Sequence, residues 1–370
     1  MEDTERVRDR DKTEAEDRWL PAEYVPGLVS VVIPTYNRGE MLVDAMNSAF
    51  AQAYRPIELV VVDDGSTDST REIVQTWQRA HGADSEFTLR YLWQENRGAP
   101  AARNLGARES RGQYIQFLDS DDYLDERRFQ AILNSDSLPA VWDMVVTSYV
   151  YVTDKGEVLE REAPGDAKVE DLVQRCIRRS LWTSAPLYAR EFLATVGPWR
   201  ENLPCWEDWE YGVRVALKCI PQRAEAIDDV LCYHRVHGLG RITSKASKPV
   251  ERAVRAAVEA LSEATNPRQL WYDTLSLRLL HWTASIRDED VRWLLRLPSS
   301  AWLRCQMRAL LAISSFLQWR QIIRVWADFM WRFTRMPSAS TGRRWLTMAS
   351  FALRRFKEGG LGWLRSLLKE

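Results

Sequence analysis

Residues 28–38, LVSVVIPTYNR, contain the pattern that decides the fold. Their first six residues are mostly β-branched and apolar, which is typical of a strand buried on both faces. Polar and aromatic residues follow at once. Residues 41–53 then place Leu42, Ala45, Met46, Ala49, Phe50 and Ala53 on one helical face. The stretch therefore predicts a buried strand that ends in a polar loop and leads into an amphipathic helix.

The same order of strand and helix continues beyond this stretch. Residues 58–62, 88–93 and 113–118 have the composition of further strands. Ser66 is a predicted N-cap for the second helix, and Pro100 fits the first turn of the third. Such alternation predicts the α/β class, with a doubly wound, mainly parallel sheet covered by helices on both faces.

Each predicted strand ends in polar residues. After the first strand come Pro34, Thr35, Tyr36, Asn37 and Arg38; after the second, Asp63, Asp64, Gly65 and Ser66; after the third, Asn96, Arg97 and Gly98; after the fourth, Asp119, Ser120, Asp121 and Asp122. Ligands of such sheets bind outside the carboxyl ends of the strands. Four polar ends on one edge favour a polar ligand.

Asp119 and Asp121 suggest what this ligand contains. Alternate residues of an extended segment project to the same side, so the two carboxylates can face one hard cation. Mg2+ or Mn2+ held in this way completes its coordination with water and substrate phosphates, which predicts a diphosphate ligand. The alternative is a loop that caps the next helix through Asp122 or Asp125.

The other polar ends fit the same ligand. Asp63 and Asp64 can accept hydrogen bonds from a nucleobase or ribose, and Arg97 and Arg103 can face phosphates, although surface salt bridges are an alternative for all four. The first strand is not followed by G-x-G-x-x-G, and the chain contains no G-x-x-x-x-G-K-[ST] motif. Neither a dinucleotide-binding dehydrogenase nor a P-loop enzyme is therefore supported.

Four motifs together resemble the family 2 glycosyltransferases of the GT-A fold: VVIPTYNR (31–38), VVDDGS (61–66), NRG (96–98) with ARN (102–104), and FLDSDD (117–122). The resemblance covers residues 28–245. It implies inverting transfer of a sugar from a nucleotide diphosphate, most often UDP, to a hydroxyl of a saccharide or lipid-linked acceptor, in cell-surface polysaccharide or glycoconjugate synthesis. It also implies that Thr35, Tyr36, Asp63 and Asp64 surround the nucleoside, that Arg103 lies near the donor, and that Asp119 and Asp121 lie at the ribose and metal.

Residues 205–210, CWEDWE, offer the general base that an inverting displacement requires. By resemblance to the family's Glu-Asp motif, Asp208 is the expected base and Glu207 supports it. The alternative is that both acids only favour the start of a helix expected over residues 209–217. Trp206 or Trp209 would stack on an acceptor sugar or pack in the core. His237 is expected at the metal or the diphosphate, because the family often has an aromatic-Arg-x-His stretch here.

The net charge of -1 hides two opposed regions. Residues 291–370 hold 15 basic and 3 acidic side chains and 7 of the 17 tryptophans. Within them, residues 319–335 predict a helix with Trp and Phe on one side and Arg on the other. Such a helix either packs on the acidic remainder of the chain, which we favour, or lies on an anionic membrane surface. The overall balance argues against a protein that coats nucleic acid, and no nucleic-acid partner is expected.

The expected organisation has three parts: a charged flexible arm over residues 1–27, a GT-A domain over 28–247, and a helical C-terminal appendage over 248–370. Five cysteines without C-x-x-C spacing, no apolar leader and no uncharged stretch of spanning length predict a cytoplasmic protein, peripheral to the inner membrane face if the tail binds lipid. Two other functions compete. A sugar-nucleotide-forming nucleotidyltransferase would need a Gly-rich basic loop after the first strand, and a catalytically silent nucleotide-sugar-binding module would act through its tail.

Overall fold

The computed structural model describes residues 19–82, 84–163, 172–178, 181–203, 205–236 and 250–264. The strands are β1 (Val25–Thr35), β2 (Ile57–Asp63), β3 (Phe87–Trp93), β4 (Gly112–Phe117), β5 (Tyr123–Leu124), β6 (Met144–Thr153), β7 (Val158–Glu162), β8 (Pro186–Ala189) and β9 (Ala224–Val236). The helices are α1 (Gly39–Phe50), α2 (Thr70–His81), α3 (Ala99–Glu109), α4 (Arg128–Leu133), α5 (Leu172–Arg178), α6 (Arg190–Val196), α7 (Glu207–Lys218) and α8 (Val250–Glu263).

Within these residues one nine-stranded sheet has the order β3-β2-β1-β4-β8-β6-β9-β5, and β7 pairs with β6. Neighbours among the first four strands run parallel, as the sequence predicts. Beyond β4 the sheet is mixed: β8 is antiparallel to both β4 and β6, β9 is parallel to β6, and β5 is antiparallel to β9. The predicted α/β class is confirmed, and the four strands that precede residue 118 form its wholly parallel half.

Helices cover both faces of the parallel half. Val31 and Ile33 lie in one apolar cluster with Met46 of α1 and Val74 of α2. Side chains on the opposite face lie under α3, where a Cβ on Gly106 would come 2.3 Å from Val32 Cγ1 and 3.0 Å from Val62 Cγ2. Burial on both sides explains why β1 and β2 are nearly continuous apolar runs.

Two local expectations were wrong. Ser66 does not cap α2, which begins at Thr70, because it lies in a turn directly after β2, where its amide donates to Asp63 Oδ1 (2.7 Å) and its hydroxyl oxygen accepts the Asn37 amide (2.9 Å). Asp68 Oδ1 accepts the Thr70 amide instead, at 3.0 Å. The charged arm is not flexible as far as residue 27: Leu20 is buried, and the Trp19 indole donates to the Leu193 and Ala194 carbonyls of α6. Residues 1–18 lie outside the described part.

Helix α8 lies past residue 247 and packs against α7. Ala253, Ala257 and Leu261 are buried along one side of it, and Glu259 pairs with Arg200 at 3.0 Å. Residues 265–370, including the basic segment 291–370 and its predicted helix, lie outside the described residues. In the described part of the chain, no helix is both long and apolar enough to span a membrane.

Candidate active site

The four polar strand ends meet at one edge of the sheet. Thr35, Asp63 and Trp93 are in register across β1, β2 and β3. The Asp64 amide donates to the Thr35 carbonyl (2.9 Å), and the Leu118 amide donates to the Val32 carbonyl (3.0 Å). The loops that follow β1, β2 and β4 therefore begin side by side, as expected for parallel strands.

The loop after β1 turns sharply at Asn37, which has a φ of 51°. Asn tolerates this left-handed conformation better than most residues because its short side chain can bond locally. Here its Oδ1 accepts the Thr67 amide at 2.8 Å, and its own amide donates to Ser66 Oγ at 2.9 Å. Tyr36 is 47% exposed, whereas Pro34 and Thr35 are buried within β1. The turn thus presents Tyr36 and Arg38 at the edge.

Asp63 and Asp64 are both buried, so the surface salt bridge considered for them is wrong. Asp63 accepts a hydrogen bond from the Tyr91 hydroxyl. Burial and this bond raise the pKa of Tyr91 to about 12, so its hydroxyl stays protonated. Asp64 holds the loop after β3: its oxygens accept the amides of Arg97 (2.9 Å) and Gly98 (2.8 Å) and the Gln94 side chain (2.6 Å).

A glycine is required where these two loops meet. Gly65 has a φ of +83°, and a Cβ at this position would lie 2.9 Å from the Asn96 backbone nitrogen. Any side chain would strain the turn and push the loops apart. Gly65 therefore keeps Asn96 close to the loop after β2.

The predicted metal pair is engaged by two arginines. Arg103 Nη2 lies 2.8 Å from Asp119 Oδ1, and Arg38 Nη1 lies 2.6 Å from Asp121 Oδ2. Both carboxylates keep some exposure, 21% for Asp119 and 14% for Asp121, while Ser120 between them is buried. Asp125, one of the two acids considered as a helix cap, accepts the Arg127 amide at 3.0 Å in the turn before α4, and no side-chain hydrogen bond caps that helix.

Asp122, which the sequence suggests only as a polar strand end or a helix cap, is a buried hydrogen-bond acceptor. Its Oδ1 accepts His234 Nδ1 at 2.8 Å, and its Oδ2 accepts the Trp182 indole (2.9 Å) and the Ser184 hydroxyl (3.0 Å). Burial raises its pKa, and the nearby His234 opposes this effect. The side chain thereby ties the loop that carries Asp119 and Asp121 to β9 and to residues 182–184. The adjacent Asp-Asp pair in the sequence was the available signal.

Glu207 and Asp208 are the first two residues of α7, two residues before the expected start of that helix. Trp206 precedes them in a left-handed conformation (φ 63°). Burial, followed by the negative charge of Glu207, raises the pKa of Asp208 to about 6. Arg103 opposes this effect without cancelling it. Asp208 is therefore a carboxylate that can exchange a proton near neutral pH, as a general base must.

Arg103 lies between Asp119, in the loop after β4, and Glu207, at the start of α7. It is 5% exposed, its Nη1 lies 3.5 Å from Glu207 Oε1, and its guanidinium lies 4.6 Å above the Trp199 ring. Burial lowers its pKa, but Asp119 and Glu207 more than offset that effect and raise it. Among the described residues, its Nε has no hydrogen-bond partner. The position of Trp199 beneath Arg103 was not predicted, because nothing in the local sequence links residues 96 positions apart.

The remaining predicted site residues are an arginine, two tryptophans and a histidine. Arg97 is 59% exposed and pairs with Glu201 at 2.5 Å, so the structure directs it toward the loop before α7. Trp209 is buried, and its indole donates to the Ile177 carbonyl (3.2 Å), which makes it a core residue rather than a stacking face. Trp206 stays partly exposed. His237 lies outside the described residues.

The chemistry of Asp119 and Asp121 fits a divalent cation. Carboxylate oxygens are the ligands that Mg2+ and Mn2+ prefer, and the partial exposure of both groups leaves them accessible. In the described part of the chain, no cluster of three or more His, Cys, Asp or Glu side chains is arranged around a common point. Two carboxylates still fit a cation that takes its other ligands from substrate phosphates and water.

The chain is similar in sequence to known glycosyltransferases. Residues 30–180 match the model of glycosyl transferase family 2. A glycosyltransferase of Nostoc sp. is 28% identical over 245 residues, which cover 64% of this chain and 73% of the relative. The putative teichuronic acid biosynthesis glycosyltransferase TuaG of Bacillus subtilis is 41% identical over 95 residues, which cover 26% of this chain and only 36% of TuaG.

Two solved structures share the fold. S. aureus TarS 1–349 in complex with UDP-GlcNAc matches with a TM-score of 0.61 at 18% sequence identity. The matched region covers 84% of this chain and 93% of the TarS chain. Mannosyltransferase PcManGT from Pyrobaculum calidifontis, in complex with GDP-Man and Mn2+, has a TM-score of 0.51 at 18% identity, with coverages of 88% and 94%. At these identities the likeness concerns the fold.

Proposed function

From the match of residues 30–180 to glycosyl transferase family 2, we propose that this chain moves a sugar from a nucleotide diphosphate donor, a UDP-sugar, to an acceptor hydroxyl with inversion. The observation that carries the proposal is the contact of one buried arginine with both halves of the site. Arg103 lies 2.8 Å from Asp119 and 3.5 Å from Glu207, the neighbour of Asp208. A donor group and an acceptor group can therefore meet at one place.

On the acceptor side, Asp208 takes the proton from the attacking hydroxyl. Its pKa of about 6 makes it mostly ionised at pH 7 yet more basic than an ordinary carboxylate, because burial disfavours its charge. Glu207 raises this basicity further by its negative charge. As the proton moves to Asp208, the acceptor oxygen forms a bond to the anomeric carbon on the face opposite the departing diphosphate. This single displacement inverts the anomeric configuration.

On the donor side, the proposed contacts are made by the loops after β1, β2 and β3. Exposed Tyr36 directly follows Thr35, the register partner of buried Asp63, and we assign Tyr36 to the base and Asp63 and Asp64 to hydrogen bonds from the base or ribose. Arg38 and Arg103 offer guanidinium groups to the diphosphate. The buried Nε of Arg103, which has no hydrogen-bond partner among the described residues, is a preorganised donor for an anionic oxygen.

A divalent cation, Mn2+ or Mg2+, would be held by Asp119 and Asp121, with His237 as a further proposed ligand. When bound, it supplies positive charge that stabilises the leaving diphosphate. TarS in complex with UDP-GlcNAc and PcManGT in complex with GDP-Man and Mn2+ support a nucleotide-sugar donor and a metal, because the same fold holds these groups there.

The acceptor is proposed to be a saccharide or lipid-linked glycan of a cell-surface polysaccharide. The named role of TuaG in teichuronic acid biosynthesis supports this class. Only 36% of the length of TuaG is matched, so the acceptor class of this chain is part of our proposal.

The decisive experiment compares the wild type with Asp208→Asn. Purified protein is first screened against a panel of nucleotide sugars for metal-dependent nucleotide release, and donor binding is measured by calorimetry. We expect Asp208→Asn to lose at least about a hundredfold in turnover, the typical contribution of a positioned base, while UDP affinity stays within a factor of two. Full activity of this variant would refute the assignment. Donor binding without any turnover in the wild type would favour the silent binding module.

A further inference from the structure

We propose that Arg38 occupies the position of the divalent cation on Asp121 when no metal is bound, and that its release couples metal binding to donor binding. The inference rests on the proposed function, because it assumes a cation at Asp119 and Asp121 and a diphosphate in the donor. It adds that the Arg38 guanidinium competes with the cation for Asp121.

The ion pair between Arg38 and Asp121 joins two separate loops. Arg38 is the last residue before α1, and Asp121 follows β4, yet Arg38 Nη1 lies 2.6 Å from Asp121 Oδ2. The loop between β1 and α1 thus delivers a positive charge to the carboxylate that is proposed to bind the metal. A carboxylate oxygen in contact with a guanidinium is less available to a second cation, because the two positive charges repel each other.

The second arginine at the carboxylate pair differs from Arg38 in its freedom to leave. Arg103 is 5% exposed, lies 4.6 Å above the Trp199 ring and also faces Glu207. Arg38 is 30% exposed, and the side-chain contact that the structure shows for it is with Asp121. Withdrawal of Arg38 into solvent or onto a ligand therefore breaks one partly buried contact, whereas withdrawal of Arg103 would break several deeply buried ones.

A nucleotide diphosphate gives the released arginine a new partner. Guanidinium groups bind phosphate oxygens with two parallel hydrogen bonds, a geometry at least as favourable as the contact with one carboxylate oxygen. Arg38 can then leave Asp121 at little cost, and the carboxylate becomes available to the cation. By linkage, the nucleotide must tighten metal binding by the same factor by which the metal tightens nucleotide binding.

The test measures Mn2+ binding to the full chain in the absence of substrate, by electron paramagnetic resonance of free Mn2+. Arg38→Gln is compared with wild type and with Arg127→Gln, a matched control in which the same substitution removes an exposed arginine that lies 2.8 Å from Asp125. Both variants change the net charge equally. We expect Arg38→Gln to bind Mn2+ about fivefold more tightly than wild type, the size expected for a partly exposed ion pair, and Arg127→Gln to match wild type.

A second measurement tests the coupling. The affinity for UDP is determined by calorimetry with and without saturating Mn2+, and the ratio of the two affinities is the coupling factor. We expect this factor to fall in Arg38→Gln and to be unchanged in Arg127→Gln. Wild-type affinity of Arg38→Gln for Mn2+, or an unchanged coupling factor, would overturn this inference and leave the proposed function intact. Failure of the wild type to bind Mn2+ even with UDP would overturn both.

Discussion

Replacement of Glu207 by Gln tests the electrostatic origin of the general base. The pKa of Asp208 is raised from 3.8 to about 6, with burial as the larger cause and the Glu207 carboxylate as the next. Gln keeps the size of the side chain and removes its charge, so the effect of burial remains. Because burial is the larger cause and is retained, the pKa of Asp208 should fall below about 6 but stay above its ordinary value.

This change should be visible in the acid limb of the pH profile of kcat/KM, which reports the base of the free enzyme. In the wild type we expect half-maximal activity near pH 6 and about a tenth of the plateau at pH 5. In Glu207→Gln the limb moves to lower pH, so that clearly more than a tenth of the plateau activity remains at pH 5.

The assay is nucleotide release at subsaturating donor from pH 4.5 to 8. Glu191→Gln serves as the control, because this acid bonds Tyr24 at the surface and does not contribute to the pKa shift of Asp208. A limb that stays near pH 6 in Glu207→Gln, or moves to higher pH, would refute the electrostatic argument. A wild-type profile without a limb near pH 6 would refute the assignment of Asp208 itself.

Three further predictions concern stability and surface binding. Asp208→Asn should raise Tm at pH 7.5 and leave it nearly unchanged at pH 3.5, because a pKa raised by folding destabilises the chain only where the carboxyl is ionised; equal changes at both pH values would contradict this. Asp122→Ala should lower the free energy of unfolding in urea by about 3 kcal/mol, since it leaves the Trp182, Ser184 and His234 donors without their acceptor, whereas exposed Asp136→Ala should have no measurable effect. If the basic segment lies on an anionic membrane, exchange of Arg320, Arg324, Arg332 and Arg335 for Glu in the full chain should abolish flotation with anionic liposomes; equal flotation of both proteins would favour packing on the rest of the chain.

Local sequence predicted the elements of the parallel half because their signals are local. The apolar run of β1 requires burial on both faces, and Pro100 lies in the first turn of α3, as its missing amide allows. The predicted start of α2 at Ser66 was wrong, because the amide and the hydroxyl of Ser66 form hydrogen bonds with Asp63 and Asn37 in the turn after β2. The antiparallel pairing of β8 with β4 and β6 could not be predicted, because strands that are distant in sequence meet there.

The candidate site divides in the same way. Asp119 and Asp121 are predicted from their place directly after a buried strand, and Asp208 is predicted from the resemblance of residues 207–208 to the family's Glu-Asp motif. The partners of these acids are not recognisable: Arg38 reaches Asp121 across 83 positions, and His234 reaches Asp122 across 112. Which arginine neutralises which carboxylate depends on how the loops fold back on the sheet.

The sequence by itself determined the α/β class, the match of residues 30–180 to glycosyl transferase family 2, and the edge of the sheet where the polar strand ends lie, because alternating elements and polar strand ends are features of short stretches. The tertiary structure alone decided the charge state of that edge. Burial together with Glu207 raises the pKa of Asp208 to about 6. Arg103 forms an ion pair with Asp119, and Arg38 forms one with Asp121. The physical reason is that desolvation and ion pairing depend on distances between side chains, which sequence spacing does not encode.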